Sequence, residues 1–124
     1  MKSLRLPVLL ILFTVISLST SAQTKKITAA AAKNHIGERT TVCGKVVSAR
    51  YADRSKSQPT FLNLDEPFPK QIFTIVIWGD DRSKFGEPED KYSDKRICVT
   101  GKITSYRGGP EIVATDPKEI EIER

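Results

Sequence analysis

Apolar positions along this chain fall into three regimes. Residues 6–18 form a nearly continuous apolar run, interrupted by Pro7, Thr14 and Ser17. Residues 29–32 are four consecutive alanines. From residue 41 onward, short segments rich in β-branched and aromatic residues alternate with polar stretches carrying glycine and proline, the pattern of strands separated by turns. Five segments read as strands: 41–50, 60–64, 72–78, 96–105 and 111–115. The third, Ile72-Phe73-Thr74-Ile75-Val76-Ile77-Trp78, is the most pronounced. Among the polar stretches, 65–71 holds Pro67 and Pro69, which do not fit a central strand. Residues 79–95 are charged, carry Gly86 and Pro88, and leave room for one helical turn near 81–85. Residues 51–59 form a polar loop, Tyr106-Arg107-Gly108-Gly109-Pro110 forms a turn, and Pro117 ends the fifth strand. The alternation in 119–123 suits a short edge strand.

Two of these segments are nearly copies. Val42-Cys43-Gly44-Lys45-Val46 and Val99-Thr100-Gly101-Lys102-Ile103 share a β-branched residue, a glycine, a lysine and a second β-branched residue. A glycine in mid-strand lets the strand coil where a side chain would clash, which suits a small, strongly bent barrel. Five strands with the longest gap between the third and fourth match the five-stranded Greek-key barrel called the OB-fold. The expected class is therefore mainly all-β, with strand one antiparallel to strand four. The inward face would carry Val42, Gly44, Val46, Ile97, Val99, Gly101 and Ile103. Ahead of the barrel, Thr28 is a good N-cap, alanine is the best helix former and Gly37 suits the C′ position. A short helix over 28–36 follows, stable only if packed on the barrel. Because the 79–95 gap is short and charged, this alanine helix is expected to cover the barrel in place of a helix from the gap.

The apolar start reads as an export signal. Lys2 and Arg5 precede the run, which is too short for a bilayer span of about 20 residues, and Thr20-Ser21-Ala22 is a small-residue cleavage site. The expected organisation is a signal peptide over 1–22, an N-terminal segment over 23–40, a barrel over 41–118 and a tail over 119–124. Cleavage near Ala22–Gln23 would release a protein to the periplasm or the exterior, with no membrane span in the mature chain. It also removes Lys2 and Arg5 and lowers the formal charge from +5 to +3, a balance that permits polyanion binding without implying it. Cys43 and Cys98 are the only cysteines, and an oxidising compartment favours their pairing. Cys43 is one residue before Gly44 and Cys98 three before Gly101. Both sulfurs thus lie on the face opposite the glycines, where antiparallel neighbours bring them together. The long closed loop would contribute roughly 4 kcal/mol. With no Cys-x-x-Cys present, a structural crosslink is expected and not a redox pair.

Phe61-Leu62-Asn63-Leu64-Asp65 followed by Phe73-Thr74-Ile75-Val76-Ile77-Trp78 resembles the second and third strands of anticodon-binding and single-strand-binding OB-fold domains. Val99-Thr100-Gly101-Lys102-Ile103 resembles their fourth. From Thr41 to Asp116 the chain is similar to bacterial exported OB-fold domains related to the nucleic-acid-binding group. The resemblance implies the fold, and through it affinity for single-stranded DNA or RNA. The chain departs from the nucleic-acid-binding members in having few aromatics on strand two and a proline-rich second hairpin.

Candidate chemistry points to binding. His35 is the only histidine and reads as a helix-end residue complementing the dipole. No Cys/His ligand cluster remains once the cysteines pair. There is no Gly-x-Ser-x-Gly and no phosphate loop. Asp80-Asp81 and Glu87-Pro88-Glu89-Asp90 lack the spacing of a calcium loop and read as solvated. The expectation is a protein that is not an enzyme and uses no cofactor and no metal. An OB-fold binds across strands two and three, between the one–two and four–five loops. Here those loops carry Arg50, Tyr51, Arg54 and Lys56 on one side and Tyr106 and Arg107 on the other. Positive side chains track phosphates and aromatic rings stack on bases. Trp78 and Phe61 lie on the right strands to add platforms if they face outward, and suit the core if they face inward; Tyr51 and Tyr106 equally suit covers for the barrel ends. Lys45 and Lys102 fall on the cysteine face and keep it soluble. Two readings remain: a monomeric module for single-stranded nucleic acid, or a protein- or glycan-binding envelope module with an apolar patch around Trp78 and Phe85.

Overall fold

The computed structural model describes residues 3–5, 7–18 and 25–124. Lys2, the cleavage site at Thr20-Ser21-Ala22 and the expected new terminus Gln23 lie outside the described residues. Residues 7–18 have no regular secondary structure, and their apolar side chains are exposed. None of the described helices is long and apolar enough to cross a membrane.

The rest is a sheet curled around one apolar core. Its strands are β1 (Lys26–Thr28), β2 (Arg39–Tyr51), β3 (Thr60–Leu64), β4 (Thr74–Ile77), β5 (Arg96–Lys102), β6 (Thr104–Tyr106), β7 (Gly109–Val113) and β8 (Ile120–Ile122). Their order is β6-β7-β4-β3-β2-β5-β8, with β1 on β2. The long β2 serves both halves. Arg39 to Lys45 run antiparallel to β5, and Val46 to Tyr51 run antiparallel to β3, with a register shift between Val46 and Ser48 where the strand bends. A bulge of this kind lets one strand turn from one half of a barrel into the other. β4 and β7 are parallel, as a Greek-key return requires. This is the OB-fold connectivity. The outer strands β1, which runs parallel to β2, and β8, which runs antiparallel to β5, extend it.

The glycine pair marks two close approaches. A Cβ at Gly101 would stand 2.7 Å from Cγ2 of Ile112, so the missing side chain is what lets β5 pass over β7 and bring the barrel towards closure. A Cβ at Gly44 would meet the Asp65 carboxylate at 3.0 Å, which accepts a hydrogen bond from the Lys45 backbone N–H at 2.9 Å. The seven expected inward positions are all buried. On the opposite face Cys43 and Cys98 are direct cross-strand partners, joined as a disulfide with their Cα atoms 4.1 Å apart. Beside them the hydroxyls of Thr41 and Thr100 hydrogen-bond at 2.7 Å.

Three expectations need correction. The helix expected over 28–36 is a 3-10 helix, Ala29–Asn34, preceded by β1; Thr28 Oγ1 caps it by accepting from the Ala31 N–H. Six residues give too little propagation for a full α-helix, and the tighter turn is the form short segments take. The 79–95 gap does cover the barrel, through α1 (Gly79–Phe85) and α2 (Pro88–Lys91). Asp80 and Asp81 in the first turn and Arg82 and Lys84 in the last suit the α1 dipole, and Pro88 opens α2. Phe85, Pro88 and Tyr92 are buried, while Ala29 and Ala32 pack into the same core from the N-terminal side. With Phe85 in the core, the apolar patch expected around it and Trp78 does not form; Trp78 alone is exposed, at 42%.

Candidate functional site

The curvature of the sheet leaves an open groove of about 610 Å³ on its outer side, between β2 and the β6–β7 hairpin. Strand register sets two cross-strand rows, of which Ser48, Asn63, Thr74, Glu111, Arg50 and Phe61 line the groove. Ser48, Asn63, Thr74, Glu111 and Thr104 are successive cross-strand partners, and so are Arg50, Phe61, Val76 and Val113. Side chains that alternate along each strand thus align across the sheet.

The first row is a hydrogen-bonded ladder. Asn63 Nδ2 donates to Ser48 Oγ at 2.9 Å, and Thr74 Oγ1 donates to Asn63 Oδ1 at 2.9 Å. Ser48 Oγ also accepts from the Phe68 backbone N–H at 3.2 Å, which ties the β3–β4 loop over the floor. That loop carries a cis Phe68–Pro69 peptide, and the Phe68 ring is 65% exposed along the groove. Glu111 ends the ladder with no donor of its own among the described residues. Burial pushes its carboxyl above the ordinary carboxylate range.

The far wall is the β6–β7 hairpin. Its two central residues, Arg107 (φ 51°) and Gly108 (φ 79°), both take positive φ, the requirement of the tight turn that suits a twisted ribbon. Tyr106 is 61% exposed, and the Arg107 guanidinium lies 5.4 Å from its ring centroid. The groove therefore brings together Arg50, Tyr106 and Arg107 of the residues singled out from the sequence, and Phe61, half-buried on the floor. Phe68 and Glu111 join them, and sequence reasoning missed both: Phe68 lay in a proline-bounded turn, and Glu111 at the edge of a plain strand.

The other singled-out residues lie elsewhere. Arg54 and Lys56 are exposed in the β2–β3 loop and do not line the groove. Trp78 precedes α1, also off the groove. Tyr51 has the opposite alternation to Arg50. Its ring is covered by the Arg82 guanidinium, 3.6 Å from the centroid. Arg82 in turn donates to Glu89 through Nη1 and Nη2 at 2.5 and 2.6 Å, and to Thr60 Oγ1 at 2.9 Å. The Arg82 bond holds the Glu89 carboxyl below its ordinary range, and Glu89 raises Arg82. The acidic stretch read as solvated thus supplies a structural ion pair. His35 pairs with Glu38. Glu123 approaches the two cysteines closely enough for a three-ligand group, but bonded sulfurs have no thiolate to offer a metal.

No protein-family model and no curated protein matches this sequence. Solved structures do. A protein from Leishmania major Friedlin assigned as an aspartyl-tRNA synthetase superposes with a TM-score of 0.53 at 10% identity, over 86% of this chain and 22% of its own. The asparaginyl-tRNA synthetase of Pyrococcus horikoshii gives 0.53 at 15% identity, over 82% of this chain and 24% of its own. The S. pombe Stn1–Ten1 complex gives 0.51 at 21% identity, over 70% and 60%. The chain thus spans about a quarter of each synthetase and under two thirds of the matched Stn1–Ten1 chain. At these identities the likeness is one of fold, and it agrees with the strand order: the barrel is an OB-fold.

Proposed function

We propose that this protein is a nucleic-acid-binding OB-fold module that takes single-stranded DNA or RNA into the groove between β2 and the β6–β7 hairpin. The observation that carries the reading is the composition of that groove. Three exposed or half-buried aromatic rings, Phe61, Phe68 and Tyr106, share it with two arginines, Arg50 and Arg107, while a fourth, Phe73, is buried beneath. Rings that keep an open face stack on bases, and guanidinium groups on the flanking strands follow phosphates. Two of the solved structures with this fold are synthetases named for the tRNA they act on, which supports the same ligand class. The protein- and glycan-binding alternative predicts an apolar patch at Trp78 and Phe85, and Phe85 is in the core.

On this reading the protein binds and does not catalyse, works as a monomer, and is exported. The exposed apolar segment 7–18, which does not join the barrel core, and the cross-strand disulfide both support export. The test is titration of the protein lacking residues 1–22 with short single-stranded DNA and RNA at two salt concentrations. The expected result is binding that weakens steeply as salt rises. A flat titration at low salt rejects the reading.

A further inference from the structure

The floor of the groove holds one acidic side chain among basic and aromatic ones. Glu111 pairs with Thr74 across one ladder and Thr104 across the other, so it stands where the floor meets the hairpin wall. The row on its Thr74 side is already paired, since Thr74 Oγ1 donates to Asn63 Oδ1 and Asn63 Nδ2 donates to Ser48 Oγ. Partial burial raises its carboxyl above the ordinary range. Glu111 is only partly buried, so a carboxylate with no donor among the described residues stays open to a ligand in the groove.

Charge decides which part of a strand meets it. Phosphates are repelled by Glu111 and attracted to Arg50 and Arg107, which come from the two flanks of the groove. A strand seated there turns its base edges toward Glu111. A carboxylate presents two parallel acceptors and no donor. Guanine offers two adjacent donors, N1–H and N2–H, on its Watson–Crick edge. Cytosine and adenine set one donor beside an acceptor, and thymine or uracil flank one donor with two acceptors. We infer that Glu111 gives the groove a preference for guanine in single strands, by accepting both donors in a fork. An arginine-bearing peptide also offers a fork, but Arg50 and Arg107 repel it.

The inference rests on the nucleic-acid reading above, and the experiment separates the two. Oligothymidylates of about ten residues, within the span one such barrel covers, are titrated with the central thymine kept or replaced by guanine, adenine or cytosine. The guanine oligomer is expected to bind about tenfold more tightly than the other three, the discrimination of one forked contact. Glu111→Gln keeps the shape, removes an unpartnered acid and replaces one acceptor with a donor. It is expected to hold oligothymidylate at least as well as the native protein and to lose the guanine preference, with its melting temperature reporting an intact fold. Equal affinities for all four oligomers, or a guanine preference that survives in E111Q, overturn the inference and leave the reading standing. Binding of an arginine-bearing peptide and of none of the oligomers overturns both.

Discussion

The guanidinium of Arg82 lies 3.6 Å above the Tyr51 ring while both of its terminal nitrogens hold Glu89. One side chain from α1 therefore fastens the end of β2 to the start of α2. Removing it leaves the half-buried Glu89 carboxylate unpaired and the Thr60 hydroxyl without its donor. Arg82→Ala is expected to destabilise the fold by about 2 kcal/mol, read from denaturant melts.

The same pair sets an acid limb. Because the folded protein holds Glu89 below its ordinary range, the pair's contribution is complete above the unfolded carboxylate value and is lost as pH falls through the lowered folded one. Glu111 runs the other way. Its carboxyl is raised by burial, so its neutral form favours the fold below the ordinary range, and that contribution disappears as pH rises through the raised value. Melting temperature measured against pH should show a shallower acid limb in Glu89→Gln and a smaller fall above it in Glu111→Gln. Superimposable profiles for either variant and the native protein would dismiss the assignment for that residue.

The disulfide closes a loop of 55 residues between β2 and β5. Replacing both cysteines by serine is expected to lower stability by roughly 4 kcal/mol, seen as a large drop in the denaturant midpoint. Mass measured without reductant should be two hydrogens below the reduced mass.

Gly101→Ala forces a Cβ to within 2.7 Å of Ile112 Cγ2. The strands must part or Ile112 must leave its rotamer, at a cost of about 2 kcal/mol. Combining Gly101→Ala with Ile112→Val, which removes the δ-methyl but keeps Cγ2, should restore little; Ile112→Ala, which removes Cγ2, should relieve the clash while adding a cavity penalty of its own. A double-mutant cycle in thermal melts separates the two contributions.

Tyr106 is exposed on the hairpin wall, so Tyr106→Ala should leave the melting temperature nearly unchanged while weakening oligonucleotide binding about tenfold, the worth of one stacked base. An equal loss for Trp78→Ala, which lies off the groove, would place the ligand elsewhere.

Much of this architecture was legible because its signals are local. Strand segments show in β-branched runs, and the offsets of Cys43 and Cys98 from Gly44 and Gly101 fix which face each sulfur takes. Residues 79–95 resisted for a physical reason. Phe85 and Tyr92 are two helical turns apart, yet Gly86 and Pro88 break the segment into two short helices that only the core beneath them holds in place. The groove was half legible. Arg50, Tyr106 and Arg107 follow from the expected loops. Phe68 reaches the floor only because its backbone binds Ser48, twenty positions earlier in the chain. Tyr51 and Arg50 are neighbours in sequence, and alternation along β2 sends one to the Arg82 clamp and the other to the groove.

The thirteen residues of β2 divide the labour of the molecule at the kink between Val46 and Ser48. Below it the strand is stapled to β5 through Cys43; above it the strand offers Ser48 and Arg50 to whatever occupies the open face. On the proposed reading, substitutions on the upper segment retune recognition while the crosslink keeps the scaffold intact, so durability and selectivity are free to change independently along a single stretch of backbone.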